Sequence, residues 1–239
     1  QKFITYPFGK DKHHVMQLCP NDFTISFLNT KTTVEEEIKL KGKTPSEIVK
    51  WVKATLKKYK LENAKSYKLA PSYDLPEYAN DLDKKFKRSP KKAFVTFSKL
   101  RSWGDHFVLE QSSKYPNSED VRTWPHHFDH ASLISISKSK DGEILKSIGF
   151  GLAIHDNLIE EPYFYVNVFS KGADVDLDKM KSLPAGKWMN DGFKGAVLPI
   201  SDVIGNPDHV NLIKQFFEQS ITQLQLLLKP KSKKENVVK

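Results

Sequence analysis

The stretch from Ser132 to Ile154, "SLISISKSKDGEILKSIGFGLAI", decides the fold class. Two runs rich in β-branched and aliphatic residues flank Asp141-Gly142, a pair that tolerates positive φ at both positions and so closes a tight hairpin. Downstream, "PYFYVNVF" (Pro162–Phe169) is dense in β-branched and aromatic residues. Strand alternation places Tyr163, Tyr165 and Asn167 on one face and Phe164, Val166 and Val168 on the other. "GAVLPIS" (Gly195–Ser201) reads as another short strand. Upstream, "AFVTF" (Ala93–Phe97) and "HFVLE" (His106–Glu110) read as strands too.

Nearer the N-terminus, "FTISFLN" alternates Phe23, Ile25 and Phe27 and pairs with "TTVEEEIKL" as a second hairpin. "TPSEIVKWVKATLKKYK" has every mark of a helix. Thr44 serves as N-cap, Pro45 opens the first turn, and Glu47 completes a capping box. Ile48, Trp51, Val52, Leu56 and Tyr59 then form one apolar stripe. A further helix is expected over "LPEYANDLDKKFK" (Leu75–Lys87). After Asn206-Pro207-Asp208 comes a long helix with Val210, Ile213, Phe217, Ile221, Leu224 and Leu228 in register. Roughly 22 residues make it about 33 Å long.

The expectation is an α+β fold: an antiparallel, curved sheet of about six or more strands packed by helices, with a long C-terminal helix. That element order resembles the helix-grip arrangement, in which a sheet wraps its last helix and leaves room for a small ligand between them. Residues 1–228 are expected to form a single domain, and 229–239 a basic disordered tail. The long connection from Lys171 to Lys194 reads as a lid or binding loop.

The chain of 239 residues carries 38 lysines and arginines against 29 acids, a net charge of +9. Only Arg88, Arg101 and Arg122 are arginines, and bidentate recognition of phosphate and guanine favours arginine. Nucleic acid is therefore not the expected partner, and the lysines read as solvated surface. No apolar run approaches the ~20 residues of a membrane span. Cys19 is the one cysteine, which excludes an internal disulfide framework and a multi-cysteine zinc site. These features point to a soluble, cytoplasmic protein. With Gln1 in place of Met, a trimmed start is expected.

"TWPHHFDHASL" (Thr123–Leu133) puts three histidines and an aspartate into five positions. In a helical turn, His126 and His130 share a face at i, i+4, the spacing of the H-E-x-x-H zinc ligands. His127 occupies the place of that motif's catalytic glutamate. In a strand, His127 and Asp129 share a face and form either part of a metal site or an oriented general base. Three readings stand: a zinc or manganese site of His126, His127, Asp129 and His130; a metal-free ligand or acid–base site; and ordinary polar lining. His106, His155-Asp156 and Glu160-Glu161 lack diagnostic spacing to this cluster. "GFG" (Gly149–Gly151) lacks the rest of a dinucleotide fingerprint and reads as relief of crowding or a bulge. There is no G-x-S-x-G elbow and no phosphate loop, and nothing marks Cys19 as activated.

Three segments together resemble a family of uncharacterised bacterial proteins, catalogued as a domain of unknown function. Its pattern of W-x-x-x-F-D, E-P-x-F-Y and L-P-x-x-D-V matches Trp124 with Phe128-Asp129, Glu161-Pro162 with Phe164-Tyr165, and Leu198-Pro199 with Asp202-Val203. The resemblance covers mainly the C-terminal half. His130 stands where it implies leucine, which shifts weight to Asp129, Glu161 and Tyr165. The resemblance implies one folded unit and no particular reaction.

The leading functional expectation is a small-molecule-binding domain whose pocket, between sheet and C-terminal helix, is lined by Trp124, His126, His127, Asp129, Glu161, Tyr163 and Tyr165. The alternatives are a metal-dependent hydrolase using the His126–His130 cluster, and a non-enzymatic interaction module with a lysine-rich surface.

Overall fold

The hairpin chemistry of the sequence builds two antiparallel sheets rather than one. The computed structural model describes residues 2–61, 83–124 and 128–229, which form an α+β fold. The chain divides into two compact units, Gln1–Leu100 and Arg101–Lys239, where the sequence reading has one domain.

In the first unit, β1 (Phe3–Ile4), β2 (His14–Cys19), β3 (Thr24–Asn29) and β4 (Val34–Lys39) follow one another as a four-stranded meander. The capping box of α1 (Pro45–Lys58) forms as its residue types require. Glu47 N donates to Thr44 Oγ1 at 3.2 Å, and Thr44 N to Glu47 Oε2 at 2.9 Å. The helix lays Val52 and Leu56 on Phe27, with Met16, Ile48, Trp51 and Tyr59 around them.

Helix α2 (Lys91–Ser113) corrects two expectations, because Ala93–Phe97 and His106–Glu110 both lie inside it. Five-residue apolar windows cannot distinguish a buried strand from one stretch of a helix. Over the full segment the buried positions Arg101, Gly104, Phe107, Val108 and Gln111 recur at helical spacing. Of the expected helix Leu75–Lys87, residues up to 82 lie outside the described residues. Lys84–Lys87 are not helical, because the Phe86 backbone pairs instead with Gly42 and Lys43.

The second unit holds β5 (Arg122–Thr123), β6 (His130–Lys138), β7 (Ile144–Ala153), β8 (Tyr163–Ser170), β9 (Lys187–Met189) and β10 (Gly195–Pro199). They form a six-stranded sheet in the order β5-β6-β7-β8-β10-β9. Gly142 turns the β6–β7 hairpin at φ 84°, where a side chain would be strained. Pairing of Leu152 with Phe164 and of Phe150 with Val166 sets these four residues on one face. Helix α3 (His209–Leu228) covers that face, with Phe217 5.4 Å from Phe164 and 6.1 Å from Phe150 between ring centres. The C-terminal part of α2 packs on the same face. Phe107 meets Phe164 at 5.8 Å, and Gly104 lies so close over Leu152 that even a Cβ would collide.

Candidate functional site

The two faces of the six-stranded sheet have different chemistry, and alternation along β8 is the cause. Phe164, Val166 and Val168 point to α2 and α3, so Tyr163, Tyr165 and Asn167 point away from both helices. A pocket between sheet and α3 therefore cannot be lined by the two tyrosines. The space under α3 is instead filled by Ile213, Phe216, Phe217, Ile221 and Leu224, all at most 1 % exposed.

On the tyrosine face the cross-sheet rows are Ala131–Gly151–Tyr165–Val197 and Leu133–Gly149–Asn167–Gly195. The three glycines are needed for close approach. A Cβ on Gly151 would come 2.5 Å from the His130 carbonyl oxygen and 2.6 Å from Ala131 Cβ. One on Gly149 would strike the Asn167 side chain, and one on Gly195 the backbone of β8. Tyr163 packs with Ala153 and Val197, bordered by Leu158, Ile159, Met189 and Phe193. Phe193 belongs to the Lys171–Lys194 connection and stands edge-on to Tyr165 at 6.4 Å.

Both tyrosine hydroxyls are committed to carboxylates. Tyr165 donates to Asp129 Oδ2 in a short hydrogen bond, and Tyr163 donates to Asp156 Oδ2 at 2.7 Å. Asp156 is itself anchored, because its Oδ1 accepts from the amides of Leu158 and Ile159 at 2.9 and 3.2 Å. Burial, reinforced by the neighbouring carboxylates, pushes both phenols well above the ordinary tyrosine value. They remain protonated donors at neutral pH and are unsuited to serve as bases.

Asp129 joins this face to a second polar cluster on the helix side. Arg101 of α2 is fully buried. Its Nη1 donates to the Phe128 carbonyl at 2.8 Å and its Nη2 to Thr123 Oγ1 at 2.7 Å, tying α2 to both ends of the β5–β6 connection. Phe128 takes φ 56°, left-handed backbone that a bulky residue seldom adopts, with its ring 5.8 Å from the guanidinium. One turn on from Arg101, Asp105 Oδ1 lies 3.0 Å from His130 Nε2. Burial lowers the His130 pKa to about 4, and the Arg101 charge adds to the effect. Burial raises Asp105, opposed by Arg101. With His130 neutral, the 3.0 Å approach to Asp105 is a close polar contact rather than an ion pair, and Asp105 Oδ1 makes no hydrogen bond among the described residues.

The sequence-predicted residues therefore divide. Asp129, Tyr163 and Tyr165 share the tyrosine face. Trp124 sits at the mouth of the β5–β6 connection; its amide donates to the Asp129 carbonyl at 2.9 Å, and its ring lies 4.7 Å from the Arg122 guanidinium. Glu161 stands apart: its carboxylate accepts from Ser201 N at 2.9 Å and Ser201 Oγ at 2.6 Å, holding the 3-10 turn Ile200–Asp202 that follows β10. His126 and His127 lie outside the described residues, and with them half of the proposed zinc or manganese ligand set. His130 is engaged with Asp105. Among the described residues no three His, Cys, Asp or Glu side chains are placed to hold a metal ion. Cys19 is buried, donates to Asp22 Oδ2 at 3.0 Å, and has its thiol pKa raised by burial, the opposite of what activates a thiol.

Arg101, Asp105 and Thr123 are the residues that sequence reasoning missed. Arg101 and Asp105 at i, i+4 would have been a signal had their segment been read as a helix.

No family model, curated protein or solved structure matches the chain. Among the described residues no helix is long and apolar enough to cross a membrane.

Proposed function

We propose that the second unit binds a small molecule on the tyrosine face of its six-stranded sheet, beside the Trp124–Asp129 connection. The observation that carries this reading is the row of half-buried polar groups over a glycine floor. Tyr165 and Asn167 stand side by side on β8, both partly accessible, flanked by Gly149, Gly151 and Gly195. Here the aromatic rings of Tyr165 and Phe193 offer flat apolar area, and Asn167 offers both a donor and an acceptor. The carboxylates of Asp129 and Asp156 fix the phenol orientations before any ligand arrives, which reduces the entropy lost on binding. The class of ligand that suits these groups is a planar, largely apolar molecule with an amide-like or hydroxyl edge.

The test is a thermal-shift screen of planar heteroaromatic and phenolic compounds against the parent, Tyr165→Phe and Asn167→Ala. A hit that stabilises the parent and loses at least about tenfold in affinity with Asn167→Ala supports the site. Hits that bind both variants as tightly as the parent place the ligand elsewhere and reject it.

A further inference from the structure

The two units differ sharply in charge. Residues 1–100 carry 21 lysines and arginines against 11 acids, whereas residues 101–239 carry 17 against 18. The whole cationic surplus of the chain belongs to the first unit, and only Arg88 there is an arginine.

Part of that surplus is gathered by two backbone hydrogen bonds. Gly42 N donates to the Phe86 carbonyl at 2.9 Å, and Phe86 N to the Lys43 carbonyl at 2.7 Å. They hold the strip Asp83–Pro90 against the turn that leads into α1. Lys41, Lys84, Lys85, Lys87 and Arg88 are all exposed there, with Arg88 Nη2 donating to the Asn21 carbonyl at 2.5 Å. Beyond Pro90, α2 opens with Lys91 and Lys92. Phe94 turns onto Phe23, 6.1 Å between ring centres, which leaves Lys91, Lys92, Val95 and Lys99 exposed. Of the acids nearby, Glu47 is already engaged by the Thr44 amide and by Lys43. Two apolar side chains break this cationic surface, Phe86 at 38 % and Val95 at 39 % exposure.

Lysines around an exposed aromatic side chain answer a specific recognition problem. A guanine edge or a single phosphate rewards the planar fork of arginine. A sheet of anionic lipid headgroups presents a diffuse negative potential that any cation near the surface exploits, each contributing about fivefold to partitioning. An aromatic or aliphatic side chain at the same level gains by entering the headgroup–acyl boundary. We propose that the first unit docks on an anionic lipid surface through Lys41, Lys84–Arg88 and the opening turns of α2. Phe86 enters the interface while the lysines stay among the headgroups.

Sedimentation of the full chain with vesicles tests this. Vesicles of phosphatidylcholine alone are compared with vesicles containing about 30 % phosphatidylserine, at low salt and at about 0.5 M salt. The expected result is association with the serine-containing vesicles only, largely lost at high salt. Lys84→Glu/Lys85→Glu/Lys87→Glu is expected to lower partitioning at least about a hundredfold, and Phe86→Ala several-fold, with circular dichroism unchanged in both. A chain carrying Lys231→Gln/Lys233→Gln/Lys234→Gln is expected to bind like the parent. Equal binding to both vesicle types, no binding at low salt, or a triple reversal that binds like the parent would overturn the proposal. Loss of binding in the Lys231–Lys234 variant would overturn it in favour of the C-terminal lysines. Tighter binding to single-stranded RNA than to vesicles, abolished by the Lys84–Lys87 reversal, would reassign the surface to nucleic acid.

Discussion

Acidification should destabilise the second unit through one histidine. His130 has a reference pKa of 6.5, held near 4 in the fold by burial and by Arg101. Between those values the unfolded chain binds a proton that the folded chain refuses. Stability is therefore fully present above pH 6.5 and is lost as the pH falls toward 4. Going from about pH 7.5 to about pH 4.5, the two-pKa linkage relation gives a loss of about 2.5 kcal/mol from this side chain. Asp105 faces His130 from α2 and pulls the other way, because its raised pKa favours the fold as protons are added. A difference measurement separates the two. His130→Gln keeps a polar side chain toward Asp105 and cannot titrate. Urea unfolding of parent and variant, followed by far-ultraviolet circular dichroism at both pH values, should show the parent losing about 2.5 kcal/mol more than the variant. Equal acid losses in parent and variant would refute the claim that His130 is buried neutral beside Arg101.

Replacing Arg101 with Met leaves Asp105 and Asp129 buried without their cation and the Phe128 carbonyl without its donor. A loss of about 3–5 kcal/mol is expected in urea unfolding. Gly151→Ala brings a Cβ against the His130 carbonyl and Ala131, which are backbone and short side chain and cannot swing away; about 1–3 kcal/mol should be lost in the same assay. Thr44→Ala removes the side-chain half of the α1 capping box and should cost about 1 kcal/mol, with little effect on any ligand bound by the second unit. Incubation with zinc or manganese, gel filtration and elemental analysis test the metal reading, which a chain that retains no stoichiometric ion would reject. A retained ion lost in His126→Ala would instead establish the metal site.

The strands and helices that were legible in the sequence are those whose residues satisfy their own local rules. Thr44, Pro45 and Glu47 announce the start of α1 within four positions. Asp141-Gly142 closes the β6–β7 turn, and the alternation of β8 separates Tyr163 and Tyr165 from Phe164 without any tertiary information. The segment Lys91–Ser113 was not legible, because its apolar residues fall into short clusters that fit a strand as well as a helix, and its buried arginine carries no hydrophobic signal. The candidate site was half legible for the same reason. Asp129 and Tyr165 could be named individually, while their hydrogen bond joins residues 36 positions apart.

The sequence by itself determined that the fold is α+β with antiparallel hairpins, that a capped helix follows the N-terminal hairpin, and that a long amphipathic helix lies near the C-terminus. It also determined the cationic surplus and the separation of tyrosines from phenylalanines along β8. Each of these follows from spacing within a dozen or so residues. Tertiary structure alone decided that the strands part into two sheets, that α3 covers the phenylalanine face, and that Arg101 reaches across to Phe128 and Thr123. The physical reason is that burial is a collective property. Desolvation holds His130 neutral where α2, β5 and β6 close around it, and keeps both phenols protonated where residues of β7, β10 and the connections beside them pack on Tyr163 and Tyr165, which no local pattern encodes.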